Sequence, residues 1–141
     1  MKRFSTISYL VVLLACALSA FSAHALFETN AHSQSEFVNR AILTAAITDR
    51  EPVDNLNDQS VSPELTKIYF FTEIINKAGE SVTHRWFHNG RLVAEVKLNI
   101  GANRWRTYSS KNLVKGHKGT WQVEVVDQKN RLLATQAFVV L

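Results

Sequence analysis

The sequence predicts an all-β domain, an immunoglobulin-like β-sandwich of about seven antiparallel strands. Short segments rich in β-branched and aromatic residues alternate with turn sequences over most of the chain. All three tryptophans lie within residues 82–126, on segments whose polarity alternates as it does in strands. Seven short strands separated by frequent turns are typical of a two-sheet sandwich.

The strand segments follow one another closely. Residues 38–48 suit a helix or a strand, and we favour a strand because apolar residues alternate from Ala41 to Ile47. We expect residues 51–54 to end that element, since Pro52 disfavours helix before it, and residues 55–63 to form a loop. The other strands are predicted at 67–75, 81–88, 91–99, 103–109, 120–127 and 132–140.

The first 25 residues have the organisation of a secretory signal peptide. Two basic residues precede an apolar run, Ile7 to Leu18, that is too short to span a bilayer comfortably, and Ala23-His24-Ala25 forms a small-x-small cleavage site. We therefore expect a signal peptide at 1–25, a polar leader at 26–39 and the sandwich domain at 40–141. The expected location is periplasmic or secreted, without a membrane span in the mature chain.

Cys16, the single cysteine, leaves an alternative open. It follows Leu13-Leu14-Ala15, so lipid attachment through Cys16 competes with simple cleavage, as does retention of the run as an anchor. Leu14 is a poor residue for lipoprotein processing, and apolar residues continue past Cys16. Cleavage after Ala25 would leave a domain without disulfides or thiolates, stabilised by packing alone.

Charge is divided between two halves of the chain. Residues 26–80 hold nine acidic and four basic side chains (−5), whereas residues 81–141 hold three acidic and ten basic ones (+7). Without the signal peptide the net charge is therefore only +2, which is a weak argument for nucleic acid binding. Either the acidic half lies against the basic half, which we favour, or the basic half faces an anionic partner.

The Asn89-Gly90 turn predicts the register of the hairpin around it. A two-residue loop pairs His88 with Arg91, and counting back then pairs Trp86 with Val93. The apolar face of the returning strand must point inward. This register predicts that Phe87 points into the core, together with Leu92, Ala94, Val96 and Leu98 of the returning strand.

The same register turns His84 and Trp86 outward. It places Arg85 on the core face, where it would need a carboxylate partner such as Glu73 or Glu51. A bulge beside the turn would exchange the two faces and put Trp86 in the core, where immunoglobulin-like folds usually hold a central tryptophan.

Residues 104–109 form a second candidate surface. Arg104, Arg106 and Tyr108 share one strand face, and Trp105 and Thr107 take the other. Two arginines can hold a carboxylate, sulfate or phosphate through forked hydrogen bonds, or they can pair with the acidic half of the chain. Trp121, followed by Val123 and Val125 on its face, is predicted in the core.

No arrangement of residues predicts an active site or a cofactor. His84 and His88 would lie about 13 Å apart on a strand, too far to share a metal ion. Serines 109 and 110 with His117 lack the frame of a nucleophile and its base. Acidic residues beside Pro52 more often bond local amides.

Several motifs together resemble a known family. They are Val82-Thr83-His84-Arg85-Trp86, Asn89-Gly90, Arg104-Trp105-Arg106-Thr107-Tyr108-Ser109-Ser110-Lys111 and residues 119–127, with Arg50-Glu51-Pro52-Val53-Asp54 upstream. In this order they are similar to the bacterial domain of unknown function 2914, over roughly residues 40–141. The resemblance implies a small β-rich module, often exported or attached to membrane proteins, and carries no catalytic residue.

These observations predict a non-catalytic exported binding module. It would recognise a glycan, peptide or anionic envelope component, and not nucleic acid, through an aromatic and basic surface made of Trp86, His84, Arg104, Arg106 and Tyr108. The alternative is a structural or assembly subunit of an envelope protein complex that uses the same face on a protein partner.

Overall fold

A computed structural model of the protein describes residues 34–115 and 117–141. The predicted signal peptide, Cys16 and most of the predicted leader lie outside the described residues. The strands of the described part are, in chain order, β1 (Val38–Thr44), β2 (Ile47–Thr48), β3 (Glu51–Pro52), β4 (Ser60–Val61), β5 (Lys67–Ile75), β6 (Ser81–His88), β7 (Arg91–Asn99), β8 (Arg104–Asn112), β9 (Gly119–Asp127) and β10 (Leu132–Val140). The same residues contain no helix.

The strands form two main sheets packed face to face. One has the order β1-β5-β8 and the other the order β4-β10-β9-β6-β7, while β2 and β3 make a small separate hairpin. Pairing is antiparallel throughout, except between β4 and β10. Seven strands of the described part have seven or more residues, and they fall on the seven predicted segments. The predicted immunoglobulin-like β-sandwich is therefore confirmed.

The core lies between the two sheets. Ile68, Phe70 and Ile74 point inward from β5, because alternate residues of a strand face the same side. Trp121 lies opposite on β9, 1% exposed, with its ring stacked on Phe138 at 5.9 Å between centroids. Burying one such large side chain stabilises the fold by about 2–3 kcal/mol.

A β-bulge in the β6–β7 hairpin corrects the predicted register. His88 pairs with Arg91 and Phe87 with Leu92 as expected, but Trp86 pairs with Ala94, which leaves Val93 as an extra residue. One inserted residue exchanges the faces of everything beyond it. The alternative stated for a bulge is thus the one that the structure adopts.

The exchange overturns several predicted orientations. Trp86 and His84, expected outside, are both 0% exposed in the core. Phe87 and Leu92, expected in the core, lie on the outer face, where Leu92 is 50% exposed. Val96 keeps its inward direction but is only partly buried, because β7 is the edge strand of its sheet.

Arg85 is also placed differently from the prediction. It lies on the outer face, so it needs neither Glu73 nor Glu51. Its Nε atom donates to Glu95 at 2.9 Å, directly opposite on β7, and its Nη2 atom donates to Asn130 at 2.8 Å. The predicted difficulty of a buried arginine therefore does not arise.

The segment after β1 differs from the prediction as well. Glu51 and Pro52 do not simply end the element, since they form β3 and pair back onto Ile47 and Thr48 of β2. The resulting small hairpin carries Glu51 to the outer face of the three-stranded sheet, where it contacts arginines of β1 and β8.

Candidate functional site

The outer face of the three-stranded sheet carries a row of charged side chains. Arg40 of β1, Glu73 of β5 and Arg106 of β8 occupy directly opposed positions on adjacent strands. Glu73 is the buried centre of this row, with a fully covered side chain. Because an acidic residue would be costly to bury alone, its partners determine how this face is built.

Glu73 accepts hydrogen bonds from three neighbours. Arg40 donates to its Oε2 from Nε at 2.9 Å and from Nη2 at 2.5 Å. Asn39 Nδ2 lies 2.8 Å from Oε1, and Arg104 Nε lies 2.7 Å from the same oxygen. Burial acts to raise the pKa of Glu73, but these donors, led by Arg40, outweigh it and leave the pKa lowered.

Glu51 links the small hairpin to this row. Its carboxylate accepts from Arg40 Nη1 at 2.6 Å and also pairs with Arg106. These hydrogen bonds, first from Arg40 and then from Arg106, lower the pKa of Glu51 to about 2. The pairs Arg104–Glu73 and Arg106–Glu51 join the basic half of the chain to its acidic half, as the charge division predicts.

The turn of the small hairpin presents another arginine. Asp49 and Arg50, between β2 and β3, both have positive φ angles of 51° and 65°. Arginine rarely adopts this conformation, and residues held there often belong to functional sites. Arg50 is exposed, and among the described residues it has no hydrogen-bond or ion-pair partner.

Arg50 stands at the rim of a shallow depression on the same face. The depression is lined by Arg50, Phe71, Trp105, Arg106, Thr107 and Tyr108. Phe71 is only 1% exposed, because the guanidinium of Arg40 covers its ring with 4.8 Å between Cζ and the ring centroid. The side chains that remain available to a ligand are therefore cationic and aromatic.

Tyr108 gives the depression an aromatic wall. It is 48% exposed, and its ring makes an edge-to-face contact with Tyr69 at 5.9 Å between centroids. Arg104, Arg106 and Tyr108 thus share an exposed face, and Arg104 is the most open of the three, with 73% of its side chain exposed. Trp86 and His84 lie on the other side of this sheet, inside the core, so the predicted five-residue surface is wrong in these two members.

His84 and Trp86 instead belong to a buried polar cluster. Trp86 Nε1 donates to Ser109 Oγ at 3.0 Å, and Ser109 Oγ lies 2.8 Å from His84 Nδ1. The Nε2 atom of His84 lies 3.2 Å from Thr72 Oγ1, and because each hydroxyl can both donate and accept, both ring nitrogens have a partner in either neutral tautomer. Burial lowers the pKa of His84 to about 3 and holds the ring neutral.

The structure also shows where Ser109 and His117, considered above as a nucleophile and its base, lie relative to each other. Ser109 contacts His84 and not His117, and the contact lies between the sheets, where both side chains are buried. His117 is instead part of a ring cluster at one end of the sandwich, with His88 stacked on Trp121 at 4.4 Å between centroids. Within residues 34–115 and 117–141, His, Asp and Glu side chains do not gather in groups of three that could hold a metal ion.

Two members of the site were not predicted as such. The Asp49-Arg50 turn lacks the glycine that usually identifies a tight hairpin, so no sequence signal indicates that Arg50 is projected over the sheet. Glu73 carries a weak signal, since it is an acidic residue in an otherwise apolar strand. Such a residue is buried only when it is paired.

The fold and this face define a small antiparallel β-sandwich domain with an arginine-rich outer surface. Residues 79–140 match the family described as "Protein of unknown function (DUF2914)", which confirms the resemblance predicted from the motifs. The matched segment runs from β6 to β10, so it is shorter than the predicted residues 40–141 and does not reach the Arg50–Asp54 motif. No curated protein matches the sequence.

Solved structures share only general features with the chain. The CARDB domain of a Pyrococcus furiosus protein, crystallised in complex with di-metal ions, is 14% identical, with 77% of this chain and 92% of that one covered and a TM-score of 0.45. An engineered protein is 12% identical, with 72% of this chain and 20% of that one covered and a TM-score of 0.42. At these scores the likeness carries no functional argument. The described residues contain no helix that is long and apolar enough to span a membrane.

Proposed function

We propose that the protein is a non-catalytic, exported binding module that holds an anionic ligand, such as an acidic glycan of the cell envelope, on the outer face of the three-stranded sheet. The observation that carries the proposal is the depression between Arg50 and Tyr108. The binding set is now Arg50, Arg104, Arg106 and Tyr108, without the buried Trp86 and His84.

The charge balance of the face supports an anionic ligand. Four arginines at positions 40, 50, 104 and 106 stand against three acidic residues, Asp49 beside Arg50 and the glutamates at positions 51 and 73, and four minus three leaves a net charge of +1. The two glutamates are engaged by Arg40, Arg104 and Arg106. Arg50 is exposed without such a partner, so an incoming anion does not have to displace an acidic side chain from it.

The chemistry of the side chains suggests how the ligand is held. A guanidinium binds a carboxylate, sulfate or phosphate through two parallel hydrogen bonds, and such charge-assisted bonds are stronger than neutral ones. Tyr108 offers a flat apolar ring with a polar end, which suits the face of a sugar. Glu51 pairs with Arg40 and Arg106 and so fixes the hairpin that carries Arg50.

Binding to uronate-bearing, sulfated and neutral oligosaccharides tests the proposal. The acidic probes should bind, and their affinity should fall as salt is added, because screening weakens exposed charge interactions. Arg50→Ala should weaken this binding about tenfold or more, since one charge-assisted contact contributes about 1.5–3 kcal/mol. Its effect on the melting temperature should be small, because the side chain has no partner in the described structure.

Arg91→Ala is the matched control. Arg91 is exposed and lies on β7 of the other sheet, so its removal changes net charge equally but leaves the depression intact. Equal losses in both variants would reduce the effect to general basicity and overturn the site. If no anionic probe bound but a single protein co-purified irrespective of Arg50, the alternative of an assembly subunit would replace the proposal.

A further inference from the structure

The edge of the five-stranded sheet is formed by β7, whose outward backbone groups have no strand partner in the described part of the chain. A long unpaired edge is a template for another strand, and proteins usually block it with a bulge or with charged residues. Here the bulge at Val93 interrupts only the first part of β7. Residues 94–99 continue as regular strand beyond it.

This segment has an alternating pattern with two distinct sides. Ala94, Val96 and Leu98 point inward but are only half-buried, because β7 lies at the edge of its sheet. Glu95 and Lys97 are exposed on the outer face. The edge therefore carries an apolar strip on one side and two opposite charges on the other.

We infer that β7 pairs with β7 of a second copy, antiparallel and about a two-fold axis at Val96. This register places Val96 against its own symmetry mate and Ala94 against Leu98. It also places Glu95 against Lys97 twice, once on each side of the axis. The two five-stranded sheets then continue into one.

Neighbouring registers are less favourable. An axis at Glu95 would place the two glutamates against each other, and an axis at Lys97 would do the same with the lysines. Like charges directly opposite each other across an antiparallel pair are destabilising. A shift by a single step in the pairing would instead join the inner face of one sheet to the outer face of the other. Of the three axes in the centre of the segment, only that at Val96 combines opposite charges with apolar pairs.

The interaction does not depend on the proposed anion site, since β7 belongs to the other sheet. Glu95 also accepts a hydrogen bond from Arg85 at 2.9 Å within its own chain. That contact holds the carboxylate on the outer face, where Lys97 of the second copy would approach. Lys97 has no ion-pair partner among residues 34–115 and 117–141, so its charge is available for an intermolecular pair.

Reversing the charges of Glu95 and Lys97 tests the inference. Self-association of the purified full-length protein and of each variant is measured by sedimentation equilibrium. The protein should dimerise, and E95K and K97E should each weaken self-association about tenfold or more, because both symmetric pairs become repulsive. Mixing the two variants should restore association, since one chain then presents two positive charges and the other two negative ones. The double variant E95K/K97E should also dimerise. Melting curves establish that each variant is folded.

A monomer at all concentrations would overturn the inference. A dimer that the single exchanges do not weaken, or that the mixture does not restore, would overturn it equally, because the interface would then lie elsewhere. Rescue by mixing requires the Glu95–Lys97 register and cannot result from a general loss of stability. Lys111→Glu, a charge reversal on β8, is the control that should leave self-association unchanged.

Discussion

The Nδ1 atom of His84 lies 2.8 Å from the Oγ atom of Ser109, and this contact joins the two sheets of the sandwich through their core. Trp86 donates to the same serine oxygen, and His84 also contacts Thr72 of the opposite sheet. The cluster is thus a hydrogen-bonded bridge surrounded by apolar side chains. Its members are satisfied, which is why a histidine can be buried there at a tolerable cost.

Acid should destabilise the protein through His84. Burial lowers its pKa to about 3, whereas in the unfolded chain the pKa is about 6.5. Below about pH 6.5 the unfolded state therefore binds a proton that the folded state excludes. The free energy of unfolding should fall by up to about 1.4 kcal/mol per pH unit as the pH drops from about 6.5 towards 3. Urea unfolding between about pH 6.5 and 5, above the range in which carboxylates titrate, measures this slope.

Two variants separate titration from simple loss of stability. His84→Gln should flatten the slope in this range. Ser109→Ala should lower stability, because it leaves the Trp86 donor unpaired, but it should keep the slope because His84 stays buried. A wild-type stability that does not change across the range would show that His84 is hydrated.

Replacing Trp86 or Leu92 by alanine should affect the stability of the protein very differently, although both residues lie in the same hairpin. Trp86→Ala should cost about 3–5 kcal/mol, because the ring is 0% exposed and its removal leaves a cavity. Leu92→Ala should cost less than about 1 kcal/mol, since that side chain is half exposed. Thermal melts of the two variants compare them directly. A larger loss of stability in Leu92→Ala than in Trp86→Ala would contradict the bulge and would support the regular register, in which Trp86 lies at the surface.

The close approach of Gly119 to Asn89 gives a prediction about the hairpin turn. Gly119 has a φ angle of 113°, and an added Cβ would lie 2.4 Å from Asn89 Oδ1, which accepts a hydrogen bond from the Thr120 amide. Gly119→Ala should therefore destabilise the protein by about 2 kcal/mol through backbone strain and loss of this bond. Asn89→Gly in a Gly119→Ala background removes the clashing side chain without straining the φ angle of 47° at residue 89, so it should recover the part due to the clash. Equal melting temperatures for wild type and Gly119→Ala would contradict the geometry.

The sequence indicates the strands better than the faces they present. The runs of β-branched residues and the Asn89-Gly90 turn locate β5, β6 and β7 to within a residue, because both signals are local. The bulge is a tertiary matter. Val93 is as apolar as Leu92 and Ala94, so the local sequence does not identify it as the extra residue, and the structure shows that with the bulge Trp86 instead of Phe87 fills the core. The orientations predicted for β6 and for Leu92 are therefore reversed, whereas Ala94, Val96 and Leu98 of β7 keep theirs.

Only part of the candidate site could be predicted, because local sequence patterns reveal which residues share a strand face but not which distant segments meet. Arg104, Arg106 and Tyr108 lie on one regular strand, so their common face follows from alternation alone. Arg50 reaches the same face through a turn without glycine, and the pairing of Glu73 with Arg40 and Arg104 connects residues that are far apart in the chain. Local patterns contain no information about such contacts.

Glu73 and Arg104 form an ion pair whose two ends should contribute unequally to stability. Glu73 is fully covered and accepts from three side chains, so Glu73→Gln removes the anion that Arg40, Asn39 and Arg104 share. We expect a loss of about 2 kcal/mol, below the usual cost of breaking a fully buried pair, because both arginines can still reach water.

Arg104→Ala should cost less than about 1 kcal/mol, since the side chain is 73% exposed and Arg40 continues to neutralise Glu73. Chemical denaturation of both variants, with anion binding measured in parallel, tests the arrangement. Glu73→Gln should also weaken binding, because Arg40 and Arg104 lose the anchor that orients them, whereas Arg104→Ala should weaken binding with almost unchanged stability. If Arg104→Ala proved the more destabilising of the two, Glu73 could not be the centre of the face, and Arg104 would be a structural residue instead of a ligand contact.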